Sequence, residues 1–200
     1  MPNLPRTLTV IIPTLNEVAW IASCIDNVST ALPRAIILIV DGGSQDETIR
    51  IAEERGVTVI SSGKGRGQQL HTAAQHADTE LLLFLHADTL LPHNAQQILD
   101  EYFSSSKNQI ATFRLSFDHS TWFLRACAWL TRFDTVFTSF GDQSIAITRD
   151  FYHQIGGFPP WPLFEDVELL RNARRQISVR SLSAAVTTSA RRFQKHGALR

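Results

Sequence analysis

Two separate stretches of this sequence run from unbroken apolar residues straight into aspartates, a pattern that places charge where a ligand can meet it. Leu81, Leu82, Leu83, Phe84 and Leu85 lead into His86-Ala87-Asp88. A run of this kind, too short for a typical helix, reads as a strand buried on both faces of a parallel sheet. Its carboxyl end is the edge at which open α/β sheets bind ligands. On extended chain the side chains of His86 and Asp88 project to the same side, so both can reach one ion or one phosphate. Ile36 to Val40 is a second such run, and it ends in Asp41-Gly42-Gly43-Ser44. One aspartate after one strand is ordinary turn chemistry. Two aspartates after two buried strands, on the same sheet edge, argue for a site that handles cations or phosphates. A histidine beside apolar strand residues is by itself more often structural than a ligand.

A third constellation is Phe164-Glu165-Asp166-Val167-Glu168. Carboxylates in the first turn of a helix are favoured by the macrodipole alone. Here, however, Trp161, Pro162, Leu163 and Phe164 form an apolar approach, and a carboxylate in such surroundings gains the proton affinity that suits a general base. The glycine-rich stretch from Gly63 to Gly67 carries Lys64 and Arg66. It has neither the G-x-G-x-x-G spacing of a dinucleotide site nor the order of a P-loop, so a nicotinamide cofactor is not expected. Backbone with few side chains can still approach a diphosphate there. Arg191-Arg192 reads equally as a solvated tail or as a phosphate clamp folded back on the site.

The elements that must position these residues alternate. Leu8 to Ile12 is a β-branched strand closed by Pro13, with Asn16 and Glu17 supplying a helix start and Trp20, Ile21, Cys24, Ile25 and Val28 one apolar stripe. Strand Ile36–Val40, a helix capped by Ser44 or Asp46, strand Val57–Ile60, a helix from about Gln68 with Leu70, Ala73 and Ala74 inward, and the Leu81–Leu85 strand follow. Short loops and right-handed crossovers then specify a Rossmann-like, mostly parallel sheet flanked by helices. The second half reads less regularly: helix His93–Phe103, strand Ile110–Phe117, an aromatic helix Thr121–Phe133, strand Ser144–Thr148 and a helix from Phe164 to about Gln176. One α/β domain is expected over 1–200, with 1–92 as a nucleotide-binding half and 93–200 as an acceptor and catalytic half.

Composition narrows the partners. The 200 residues carry 19 basic and 19 acidic side chains, a formal net charge of zero, so no global field exists to hold nucleic acid. Cys24 and Cys127 are the only cysteines, which supports neither a disulfide framework nor a zinc site and fits a reducing cytoplasm. No stretch reaches the ~18 uninterrupted apolar residues of a membrane span. Trp122, Phe123, Trp129 and Phe133 put more aromatic surface on one helix than a single buried stripe needs. Core packing is the plainer account of it, and a peripheral contact with lipid or acceptor is the functional one.

In their order and spacing, Ile11-Ile12-Pro13-Thr14-Leu15-Asn16-Glu17, Val40-Asp41-Gly42-Gly43-Ser44, Gly65-Arg66-Gly67-Gln68, His86-Ala87-Asp88 and Glu165-Asp166 resemble the family 2 glycosyltransferases of the GT-A fold. Gly141-Asp142-Gln143 and Thr188-Ser189-Ala190-Arg191-Arg192 add a narrower likeness to a bacterial subgroup labelled arsenosugar-biosynthesis-like. The resemblance implies that Pro13, Thr14, Asn16, Glu17, Asp41 and Gly42 hold the nucleoside. It implies that His86-Ala87-Asp88 stands where the family's Asp-x-Asp motif binds a divalent cation and the diphosphate, with Arg66 assisting. Asp166 is then the catalytic base with Glu165 beside it, and Asp142, Gln143, Arg191 and Arg192 are candidate acceptor or phosphate contacts. His86 departs from the motif's first aspartate. Such enzymes often continue into apolar helices beyond the region matched near Arg200, which leaves an acceptor-side or membrane-docking element beyond it an open question.

The expected activity is transfer of a sugar from a UDP-linked donor to an acceptor hydroxyl on a small molecule or lipid-linked glycan. The resemblance implies inversion and Mn2+ or Mg2+ as cofactor, and the composition places the protein in the cytoplasm, with the membrane's cytoplasmic face as its one candidate surface. The alternatives are a nucleotidyltransferase, which would release pyrophosphate, and a non-catalytic nucleotide-sugar-binding module, which would have no use for Asp166.

Overall fold

The computed structural model describes residues 6–118, 144–159, 161 and 165–191. The elements run β1 (Leu8–Thr14), α1 (Ile21–Ala31), β2 (Ile36–Asp41), α2 (Thr48–Glu54), β3 (Thr58–Ser61), α3 (Arg66–His76), β4 (Leu81–Phe84), β5 (Thr89–Leu90), α4 (Ala95–Phe103), β6 (Ile110–Phe117), β7 (Ile145–Thr148), α5 (Arg149–Gln154), α6 (Glu165–Arg174) and β8 (Arg180–Thr188). The expected aromatic helix Thr121–Phe133, Asp142, Gln143, Pro162 to Phe164 and Arg192 lie outside the described residues.

One sheet of order β3-β2-β1-β4-β7-β6-β8-β5 carries the whole arrangement. β1, β2, β3 and β4 pair in parallel, and the continuous apolar runs of β2 and β4 are those of strands covered on both faces. Alternate residues feed opposite layers: Val10, Ile12 and Leu83 pack with α1 and α4, while Ile11, Leu82 and Phe84 pack with α3, α5 and α6. A strand with apolar residues on both sides can only be stable between two such layers. Beyond β4 the sheet becomes mixed, with β7 antiparallel to both β4 and β6, and β8 parallel to β6 and antiparallel to β5.

Because β1, β2, β3 and β4 are parallel, their carboxyl ends, and hence Thr14, Asp41, Ser61 and the chain after Phe84, share one edge. Several local expectations change. Pro13 does not close β1; it pairs with Val40 inside the strand, and Thr14 follows it. Asn16 and Glu17 do not start α1, which begins at Ile21 without a side-chain cap. Asn16 instead has a positive φ of 56°. Its N–H donates to Ser44 Oγ at 2.9 Å and its Oδ1 accepts from Gln45 N–H at 2.8 Å, tying the loop after β1 to the loop after β2. Asn16 thus hydrogen-bonds between two loops and caps no helix. Asp46 does act at the start of α2, its Oδ1 accepting from Thr48 N–H at 3.0 Å.

Strand β8 and helix α5 have no clear signal in the sequence. β8 is rich in Ser, Ala and Thr, and a register shift between Thr112 and Arg114 of its partner β6 spoils any period of two. Its position matters, because Thr188 pairs with Thr89 and the chain beyond returns to the sheet's ligand edge. Among the described residues no helix is long and apolar enough to cross a membrane.

Candidate active site

A cleft of about 230 Å³ opens at that edge, lined by Pro13, Thr14, Leu15, Glu17, Gly65, Arg66, Gln69, His86, Ala87, Asp88 and Arg191. The loops after β1 and β4 form two walls, the start of α3 a third and the chain after β8 a fourth. His86 and Asp88 both line the cleft, but not on extended chain: Thr89 N–H closes a turn onto His86 carbonyl at 3.1 Å. Ala87 is buried between them, and the Cys24 thiol lies beneath, donating weakly to the carbonyls of His86 and Thr89 at 3.7 Å each. Burial pushes that thiol up to about 12, with Asp88 and Glu17 adding to the effect, so Cys24 is a packing residue.

Asp41 stands behind the cleft, only 1% exposed. Its Oδ2 accepts from the N–H groups of Gly43 and Ser44 at 2.8 Å each, and its Oδ1 from Thr14 Oγ1 at 3.0 Å. It therefore fixes the turn after β2 and joins it to the end of β1. Gln69 completes that join. Its Nε2 donates to the carbonyls of Thr14 and Val40, both at 2.9 Å, and a Cβ on Gly42 would come within 3.1 Å of its amide. Gln69, unlike Leu15 and Gly65, stands in none of the motifs read from the sequence. Its signal was a polar residue on the same stripe as Leu70, Ala73 and Ala74, where a buried amide must find partners.

The carboxylates of Glu165 and Asp166 begin the buried stripe of α6, which continues through Leu169, Leu170 and Ala173. Glu165 is fully buried and Asp166 is 8% exposed. Glu165 Oε1 accepts from Arg66 Nε, linking α6 to the start of α3, while Oε2 is buried with no hydrogen-bond partner among the described residues. Asp166 Oδ1 accepts from Val167 N–H at 2.9 Å. Burial first, and the Glu165 charge second, raise the Asp166 carboxyl above the ordinary carboxylate value of 3.8, against the opposing pull of Arg66, the Val167 N–H and His86. Asp166 does not itself line the cleft; it interacts electrostatically with Arg66 and His86, which do. Gly67 makes this proximity possible, since a Cβ there would lie 2.3 Å from Pro159 O, 2.8 Å from Trp161 O and 3.1 Å from Glu165 Cβ.

Arg191 folds back on the site. Nη1 and Nη2 donate to the two oxygens of Glu17 at 2.8 and 2.7 Å, and Nε pairs with Asp88 Oδ2 at 2.9 Å. Asn16, Asp41, Gly42, Glu165 and Asp166 are not on the cleft wall, whereas Pro13, Thr14, Glu17, Arg66, His86, Ala87, Asp88 and Arg191 are.

The sequence model of Glycosyl transferase family 2 matches residues 9–155. The chain belongs to this family. The matched span runs from β1 through α5, and Glu165, Asp166 and Arg191 lie beyond it. Among curated proteins the chain is similar to glycosyltransferase AglJ of Haloferax volcanii, 35% identical over 103 residues, which is 50% of this chain and 33% of AglJ. Among solved structures it is similar to the mannosyltransferase PcManGT of Pyrobaculum calidifontis in complex with GDP-Man and Mn2+, with TM-score 0.71, 22% identity and coverage of 93% of this chain and 57% of that one. It is also similar to glucosyl-3-phosphoglycerate synthase of Mycobacterium tuberculosis in complex with Mn2+, UDP and glucosyl-3-phosphoglycerate, with TM-score 0.66, 20% identity and coverage of 92% and 70%. These structures share the GT-A fold of this family 2 chain. The chain spans less than two thirds of the length of the curated relatives it first matches.

A divalent cation fits this donor set in part. Among the described residues no group of three or more His, Cys, Asp or Glu is arranged to hold a metal. Asp88 Oδ2 pairs with Arg191 Nε at 2.9 Å. A Mg2+-type ion bound through one or two carboxylates completes its shell with substrate phosphates and water, so the residues suit a cation shared with a diphosphate and not one caged by protein alone.

Proposed function

We propose that this family 2 chain transfers a sugar from a nucleoside-diphosphate donor, UDP-linked, to an acceptor hydroxyl with inversion at the transferred carbon. The reading is carried by one observation: a buried carboxyl of raised proton affinity, Asp166, lies within electrostatic reach of the cationic wall of a cleft at the sheet's ligand edge. The nucleoside end of the donor lies along Pro13, Thr14 and Glu17, in a loop held from behind by Asp41 and Gln69. Its diphosphate lies between Arg66 and the His86–Asp88 turn. Asp88, with His86 on the same wall, would hold a divalent cation together with the donor phosphates; the cation supplies charge neutralisation of the leaving diphosphate. A nitrogen from His86 favours Mn2+ over Mg2+.

Arg66 has two tasks in this scheme. Held by Glu165, it presents fixed positive charge to the phosphates as negative charge develops on them, which is the arrangement that lowers a barrier most. It also limits how far the Glu165 charge can raise Asp166. Asp166 removes the acceptor's proton as the acceptor oxygen attacks the anomeric carbon, and a carboxylate whose proton affinity is raised by burial and by a second carboxylate is suited to that work. The acceptor is a hydroxyl compound, a small molecule or a lipid-linked glycan, and the cytoplasm with contact at the membrane's inner face is the proposed location.

Uridine diphosphate is therefore expected to stabilise the protein. At 100 times the dissociation constant, linkage gives about 2.7 kcal/mol, or about 5–11 °C in unfolding temperature for a chain of this size. Differential scanning fluorimetry with uridine, guanosine and adenosine diphosphates, with and without Mn2+, measures it. No shift with any of them would contradict the donor-site reading, and a preference for guanosine would correct the base alone.

A further inference from the structure

Arg191 is held where a cation shared by Glu17 and Asp88 would sit. Three of the five N–H donors of its guanidinium are committed, two to Glu17 and one to Asp88. The side chains of Glu17 and Asp88 are only 17% and 9% exposed, and the guanidinium lies 5.7 Å over the Trp20 ring. The backbone that carries Arg191 is anchored as well: Ser189 N–H donates to the Asp88 carbonyl at 3.1 Å and Ala190 N–H to Asp118 Oδ1 at 2.8 Å. This is a built bridge between the loop after β1 and the turn after β4, and not a tail lying on the surface.

Its charge has a consequence for the cleft. A divalent cation approaching Asp88 in the free protein meets a guanidinium already on that carboxylate, and like charges in a partly buried site are poorly screened. Without the guanidinium, Glu17 and Asp88 would be two little-exposed carboxylates facing each other, an oxygen pair that attracts divalent ions. Arg191 thus satisfies two acids that would otherwise collect a cation on their own.

We propose that Arg191 makes cation binding at Asp88 conditional on the nucleotide diphosphate. In the free protein its guanidinium occupies the Glu17–Asp88 bridge; the diphosphate takes up its two remaining N–H donors, draws the charge off Asp88 and leaves that carboxylate to the cation. The Ser189–Asp88 main-chain bond confines this rearrangement to the side chain. The inference rests on the donor-site reading above, and it assigns Arg191 a positioning role that acts through Asp88.

The test is Mn2+ binding, read by loss of the free aqua-ion signal in electron paramagnetic resonance and by calorimetry, for the whole chain with and without uridine diphosphate. The wild type is expected to leave Mn2+ free without nucleotide and to take it up with uridine diphosphate. Arg191→Gln is expected to bind Mn2+ alone, about tenfold or more tighter than the wild type, a coupling of ordinary size between two ligands. Adding Asp88→Asn to that variant should abolish the gain. Arg191→Lys, which keeps the charge, should still exclude the ion, and serves if Arg191→Gln does not fold. Equal Mn2+ affinity without nucleotide in the wild type and Arg191→Gln, or in Arg191→Lys and Arg191→Gln, would overturn the proposal. If uridine diphosphate fails to bind the wild type at all, the donor-site reading fails, whereas the metal-alone measurements judge Arg191 independently.

Discussion

Replacing Asp166 by asparagine is expected to lower turnover by roughly 10² to 10⁴ while nucleotide affinity stays nearly unchanged. Asparagine keeps the shape and can still accept the Val167 N–H that Asp166 Oδ1 accepts at 2.9 Å, so the start of α6 is preserved and the proton acceptor is lost. The same variant is expected to unfold at a higher temperature at neutral pH. The sign follows from the carboxyl's raised affinity, caused first by burial and then by Glu165. Between the ordinary carboxylate value and the raised one, the unfolded chain has lost a proton that the folded chain keeps, so stability falls as pH rises through that window and stays reduced above it. An asparagine removes the penalty. The acid limb of the pH–rate profile should lie above the ordinary carboxylate range for the same reason. Transfer rate, uridine diphosphate affinity and thermal unfolding measured side by side check all three. An Asp166→Asn protein with full turnover would refute the assignment, and one that loses nucleotide binding would make the residue structural.

Gly67→Ala should be nearly as damaging, although it adds a single methyl group. Gly67 is in the first turn of α3, where alanine is normally better than glycine by about 1 kcal/mol. Against that gain, the new Cβ would be 2.3 Å from Pro159 O and 2.8 Å from Trp161 O, and backbone oxygens cannot turn aside as a flexible side chain can. Overpacking of this kind costs about 1–3 kcal/mol, so the net effect is a loss of up to about 2 kcal/mol, which at its upper end is about 4–8 °C in unfolding temperature. The functional effect is larger, because the segment that must yield leads into Glu165 and Asp166. A displacement of about 1 Å at a catalytic group costs about 10²-fold in rate. Thermal unfolding and turnover are the measurements, and a variant that matches the wild type in both would show that Gly67 does not set the position of α6.

How much of this was legible in the sequence follows from how each element is stabilised. The parallel strands could be read because burial on both faces writes itself as an uninterrupted apolar run, as in Ile36–Val40 and Leu81–Leu85. Their carboxyl ends pointed to His86 and Asp88, the resemblance added Thr14 and Glu17, the glycine-rich loop supplied Arg66, and all of these line the cleft. Asp41 also emerged from such a run, but its carboxylate organises the turn behind the cleft wall, a distinction that spacing alone does not make. β8 could not be read, because a bulged strand of small residues has neither an apolar run nor a clean alternation. With β8 hidden, the return of Arg191 to Glu17, 174 positions away in the chain, was hidden too. The Arg66–Glu165 pair, 99 positions apart, depends in the same way on how α3 and α6 pack. Long-range charge pairs are properties of the fold, and the sequence reveals only that each partner is available.

Glycosyl transfer by this chain is tested most directly by analysis of the products formed from nucleotide sugars. The protein is incubated with uridine diphosphate sugars and Mn2+, with and without hydroxyl acceptors, and the released nucleotide is identified by chromatography and phosphorus resonance. Glycosyl transfer, or its slow counterpart with water as acceptor, breaks the bond between the anomeric carbon and the diphosphate oxygen and must release the nucleoside diphosphate. Uridine diphosphate is expected as the only nucleotide product, at a rate that falls in Asp166→Asn. Release of pyrophosphate or nucleoside monophosphate would mean attack at phosphorus and would contradict glycosyl transfer, as would nucleotide-sugar binding with no turnover in which Asp166→Asn behaves like the wild type.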